Sequence, residues 1–68
     1  MFTYNIHKKI LDDGIRITVR GEKQNTKHEF VTKLSYKEFQ KVKYEEFVNN
    51  MVSGLEKKID IMLANNIY

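Results

Sequence analysis

Arg16 and Arg20 are the chain's two arginines, and they fall in a run where apolar and polar residues alternate. Alternation marks a half-buried strand, so Arg16, Thr18 and Arg20 project from one face while Ile15, Ile17 and Val19 project from the other. A guanidinium is a planar fork that suits phosphate oxygens and the guanine edge. Lys9 and Lys33 fall on the same face by the parity of their own segments. Lys9, Arg16, Thr18, Arg20 and Lys33 are therefore the candidate nucleic-acid contacts, with Thr3 and Asn5 able to add hydrogen bonds. Charge is split to match. Residues 1–34 carry seven basic and four acidic side chains, and residues 35–68 carry five of each, so the formal excess of +3 sits in the first half. The excess is modest, and small sheets commonly present Lys, Arg and Thr to water.

Other chemistry is thinly represented. His7 and His28 have opposite parities, so they do not converge on a metal. Asp12-Asp13 reads as part of a turn. Ser35 and Ser53 read as helix caps, and neither stands in a nucleophile motif. Glycines at 14, 21 and 54 cannot form a phosphate-cradling loop. The absence of cysteine excludes disulfides, thiolate zinc sites and cysteine nucleophiles. The expectation is a non-enzymatic protein with no catalytic residue, cofactor or metal. Met51, Met62 and Phe47 could line an adaptable groove, but their spacing assigns them to ordinary packing.

These residues must be positioned by a small set of elements. Alternation over residues 2–10 predicts a first strand and Asp13-Gly14 a hairpin, since Asp and Gly tolerate the positive φ of tight turns. A second strand follows over 15–21. Gly21 to Lys27 has no apolar residue and reads as a loop or an extended hairpin tip. A third strand covers 28–34. The inner face is expected to bury Phe2, Tyr4, Ile6, Ile15, Ile17, Val19, Phe30 and Leu34. At Ser35 the period changes. Ser35-Tyr36-Lys37-Glu38 fits a capping box, and apolar residues then recur at helical spacing to Leu63, predicting one helix over 36–64. Ser53-Gly54-Leu55-Glu56 is a second capping box, so a kink there is the alternative.

The chain thus reads as a single α+β domain over 1–68: a three-stranded antiparallel β-meander packed on one long C-terminal helix. This element order resembles the arm-binding domain at the N-terminus of tyrosine recombinases, which implies DNA binding; no residue motif of that family is present to carry across. A helix over 36–64 would run about 43 Å, beyond strands of about 26 Å. Its apolar stripe continues regardless. Val48, Val52, Leu55, Ile59 and Met62 follow a 4-3-4-3 spacing, joined by Leu63, and are the candidate interface of a homodimer. The alternative folds the second half of the helix back on the sheet.

Size supports the search for a partner. A chain of 68 residues without disulfides offers a small core. No apolar run reaches the roughly 20 residues of a membrane span, and the N-terminus lacks a signal-peptide pattern, so a cytoplasmic location is expected. Lys, Asn and Ile are abundant, Ala occurs once and Pro never. That bias follows A/T-rich codons and suggests a low-GC bacterium or its phage. The leading functional expectation is a homodimeric protein that binds another protein, as a host-factor modulator or an assembly component. The alternative is nucleic-acid binding through the open face of the sheet.

Overall fold

Side-chain alternation shapes the first half of the chain into a sheet. A computed structural model describes residues 1–66 and forms β1 (Thr3–Ile10), β2 (Gly14–Lys23) and β3 (Thr26–Ser35), in the order β1-β2-β3 with both pairs antiparallel. Two helices follow, α1 (Tyr36–Lys41) and the long α2 (Tyr44–Ala64). The class is α+β, as the sequence predicts. Residues directly opposite in an antiparallel pair share a face. One face therefore carries Ile10, Ile15 and Leu34 in one row, and Ile6, Val19 and Phe30 in another.

The core lies between this face and α2. Ile15, Ile17, Val19 and Leu34 from the sheet meet Val48, Met51, Leu55 and Ile59 from the helix, and all eight are buried. Phe2, Phe30, Phe39, Val42, Tyr44 and Phe47 pack around them. The expected inner face is correct in parity but not wholly in cover. Tyr4 is 51% exposed and Ile6 41%. The reason is the position of α2, which packs across β2 and β3 and leaves β1 at its side.

Both hairpins differ from expectation in their mechanism. At the first, Leu11 N donates to Gly14 O, yet Asp12, Asp13 and Gly14 all have negative φ. Gly14 is needed for closeness instead: a Cβ there would overlap the Leu34 carbonyl oxygen of β3. At the second, there is no long loop. β2 runs to Lys23, β3 restarts at Thr26, and Gln24 and Asn25 turn the chain with φ of 51° and 65°. Positive φ at both central residues is the two-residue hairpin geometry that matches strand twist. Lys23 Nζ then bonds Asp60 Oδ1 at 2.7 Å, fastening this tip to α2.

The helical half is two helices with a sharp step between them. The capping box forms as expected: Glu38 N donates to Ser35 Oγ at 3.1 Å, and Ser35 N donates to Glu38 Oε1 at 2.9 Å. The break falls at Val42-Lys43, where both residues are extended, and not at Ser53-Gly54, through which α2 continues. Phe39, Val42 and Tyr44 all reach the core, and the five-residue step from Phe39 to Tyr44 is not a helical repeat. Tyr36 OH donates to the Leu11 carbonyl, tying α1 to the first hairpin. Among the described residues, no helix is long and apolar enough to cross a membrane.

Candidate nucleic-acid interface

The outer face of the sheet is a grid of four cross-strand rows. Lys9, Arg16 and Lys33 form the first, and His7, Thr18 and Val31 the second. Asn5, Arg20 and Glu29 form the third, and Thr3, Glu22 and Lys27 the fourth. Five basic and two acidic side chains stand on this face, a net of +3 that equals the formal excess of the whole chain. Neither helix packs on it. All five candidates, Lys9, Arg16, Thr18, Arg20 and Lys33, are brought onto one surface.

The first row concentrates the charge. Arg16 has a lysine directly opposite it on each neighbouring strand. Like charges in that relation are destabilising. One carboxylate relieves the row: Asp13 Oδ2 accepts from Lys33 Nζ at 2.8 Å. That hydrogen bond, together with the lysine's charge, holds the Asp13 carboxyl below its ordinary value. Lys9 and Arg16 have no ion pair or side-chain hydrogen bond among the described residues. Arg20 is different, since its Nε donates to Glu29 Oε2 at 2.8 Å. Both groups are largely exposed, and such pairs exchange readily with other partners.

Between the rows the face is a shallow depression lined by Asn5, His7, Lys9, Arg16, Thr18 and Arg20, among others. Its polar side chains donate and accept hydrogen bonds, Ile6 and Val31 add apolar surface, and its aromatic ring is the imidazole of His7; no Phe, Tyr or Trp lines it. Every Phe and Tyr of β1 and β3 stands on the helix side or just before it. His7 and His28 stay apart: His7 lies opposite Thr18 on the outer face, and His28 opposite Gly21 on the inner one, edge-on to Phe30 at 5.6 Å between ring centroids. Among the described residues, no group of three or more His, Cys, Asp or Glu could hold a metal ion.

The helix stripe has a different fate. Of the six residues expected at a dimer interface, Val48, Leu55 and Ile59 are buried within the chain, Val52 and Leu63 pack against the core, and Met62 is half-buried. A continuous helix over 36–64 would outrun its sheet and leave the end of its stripe in want of a second chain. With the break at Val42-Lys43, α2 has 21 residues, about 31 Å. β2 and β3 have 10 each, about 33 Å. The helix and the strands it packs on are thus of matching length.

Two features escape a reading by parity alone. Lys27 joins the outer face because the second turn has two residues, a count hidden by the uniformly polar Gly21 to Lys27. The uncovered inner side of β1 depends on where the helix lies, which no local pattern records. Compared with protein-family models, curated proteins and solved structures, the chain gives no match.

Proposed function

We propose that the outer face of the sheet binds nucleic acid through its phosphate backbone, with Lys9, Arg16 and Lys33 as the anchoring row and Arg20, Thr18 and Asn5 as further contacts. One observation carries the reading: three cations stand side by side across three strands, with one carboxylate among them. A phosphate on Lys9 and Arg16 would relieve the repulsion that the free protein carries. The row spans about 10 Å at the usual strand spacing, against a major groove about 12 Å wide. The face offers no Phe, Tyr or Trp on which an unstacked base could lie, and its one ring is the small imidazole of His7, which favours duplex over single strand. The likeness of element order to arm-binding domains adds nothing to this, because no solved structure matches.

Fluorescence anisotropy with labelled duplex and single-stranded oligonucleotides of equal length tests it. At 50 mM salt the duplex should bind more tightly than the single strand, and Arg16→Glu should abolish binding while leaving the circular dichroism spectrum unchanged. No binding at that salt concentration, where phosphate contacts are strongest, rejects the proposal. So does full binding by Arg16→Glu.

A further inference from the structure

Strand β1 is open along its edge and open on its helix side. β2 is its one neighbour in the sheet, and the two pair from Thr3 to Ile10 without a bulge. No proline interrupts it. On the helix side Ile6 and Ile10 are 41% and 71% exposed. Lys8 stands between them with its ammonium 4.9 Å from the centroid of the Tyr44 ring. An unpaired edge of this length presents main-chain donors and acceptors to any extended segment that fits.

Charge decides which segment fits. β1 carries Lys8, Lys9 and His7 and no carboxylate. A second copy pairing through the same edge would place two strands of this composition side by side, with no acid on either. Like charges across a strand pair are unfavourable, and an inward lysine on an edge strand guards against self-pairing. The same lysine attracts a carboxylate. We propose that β1 docks an extended acidic segment of another protein as a fourth strand, with a carboxylate beside Lys8 and apolar side chains beside Ile6 and Ile10. Main-chain hydrogen bonds would supply affinity and the alternate side chains specificity. Ile6, Lys8 and Ile10 face away from the Arg16 row, although β1 also contributes Lys9 and Asn5 to the outer face; Lys8→Ala should therefore change peptide binding and leave duplex binding intact, which tells the two proposals apart.

An NMR titration of the labelled protein tests it with two acetylated, amidated peptides, Ser-Val-Thr-Glu-Thr-Val-Ser and its Lys-for-Glu counterpart. The acidic peptide should shift the amides of Thr3–Ile10 and bind about three- to ten-fold more tightly than the basic one. Lys8→Glu should invert that order, and Lys8→Ala should erase it. Equal affinity of the two peptides overturns the proposal, as does the absence of β1 shifts at millimolar peptide. Shifts confined to the Arg16 and Lys33 side of the sheet also overturn it, because charge alone would then explain binding. Sedimentation of the free protein as a dimer that Ile6→Asp dissociates would make a second copy the occupant and reject an acidic partner.

Discussion

β1 and β2 pair residue for residue, yet their inner faces end in opposite surroundings. Ile17 and Val19 on β2 are fully buried; Ile6, directly opposite Val19, is 41% exposed, and Ile10, opposite the buried Ile15, is 71% exposed. Both strands show the same alternation, so alternation cannot be what separates them. It assigns each side chain to a face. Whether that face is covered depends on a helix about 10 Å across, which spans about two strands at their usual spacing of 4.8 Å. Three strands and one long helix leave one strand over. Here it is β1, and the surplus apolar surface lies on the sheet edge and not along the helix stripe.

The sharpest way to break this contrast is to truncate matched residues on the two strands. Ile17→Ala should cost about 2–5 kcal/mol in denaturant unfolding, the range for a fully buried isoleucine, whereas Ile6→Ala should cost under about 1 kcal/mol. Equal costs would mean that β1 is covered after all. Leu55→Lys extends the same test to the helix. Leu55 is 0% exposed against the sheet, so an unpaired charge there should abolish cooperative unfolding. A variant that stays folded would return Leu55 to the surface.

Two glycines give a smaller contrast within the packed half. A Cβ at Gly21 would come within 2.7 Å of the Phe2 ring and 2.8 Å of a Leu55 methyl, so Gly21→Ala should destabilise by about 1–2 kcal/mol. At Gly54, inside α2, a Cβ would meet Phe30 at an ordinary 3.5 Å, so Gly54→Ala should stabilise by about 0.5–1 kcal/mol. Thermal unfolding of both variants checks the opposite signs.

Those glycines also show how far the sequence could be read. Gly21 opens the polar stretch that hides the second hairpin: its inward slot is filled by Phe2 and Leu55, and the next inward positions are Lys23, Thr26 and His28. The stretch therefore has no apolar alternation even though it is strand. Gly54 invites a kink that packing does not require, because Phe30 leaves room and α2 runs on. The true break had a fainter signal. Lys41 ends α1 while Glu45 and Glu46 begin α2, the order that two separate helix dipoles favour. Most of the outer face is legible in its residues, since parity alone places Arg16, Arg20, Lys9 and Lys33 together, while Glu22 and Lys27 are hidden in the polar stretch. Their arrangement in rows was not, because register depends on the length of both turns.

The smallest expected effect is on pH dependence. Glu38 is held below its ordinary 4.5 by the Ser35 backbone and side-chain hydrogen bonds, and Asp13 below 3.8 by Lys33. Carboxyls lowered in the folded state contribute stability above their ordinary values and lose it as pH falls through the lowered ones. Lys23, raised above 10.5 by its hydrogen bond with Asp60, contributes below that value and loses it as pH rises beyond. Glu38→Gln should therefore lower the melting temperature slightly at pH 7, and this difference from the wild type should vanish near pH 2.5. A difference that persists there would remove the carboxylate from the cap.

The two open surfaces ask different things of a partner: the outer face presents cations in rows, and the β1 edge presents main chain with apolar residues flanking a lysine. The outer face carries the functional proposal, and the salt dependence of duplex binding tests it most directly. With three to four phosphate contacts, the slope of log K against log salt should be about −2.7 to −3.6, and Arg16→Ala should make it shallower by about 0.9. A slope near zero, or one that Arg16→Ala leaves unchanged, would contradict the assignment of this row to phosphate.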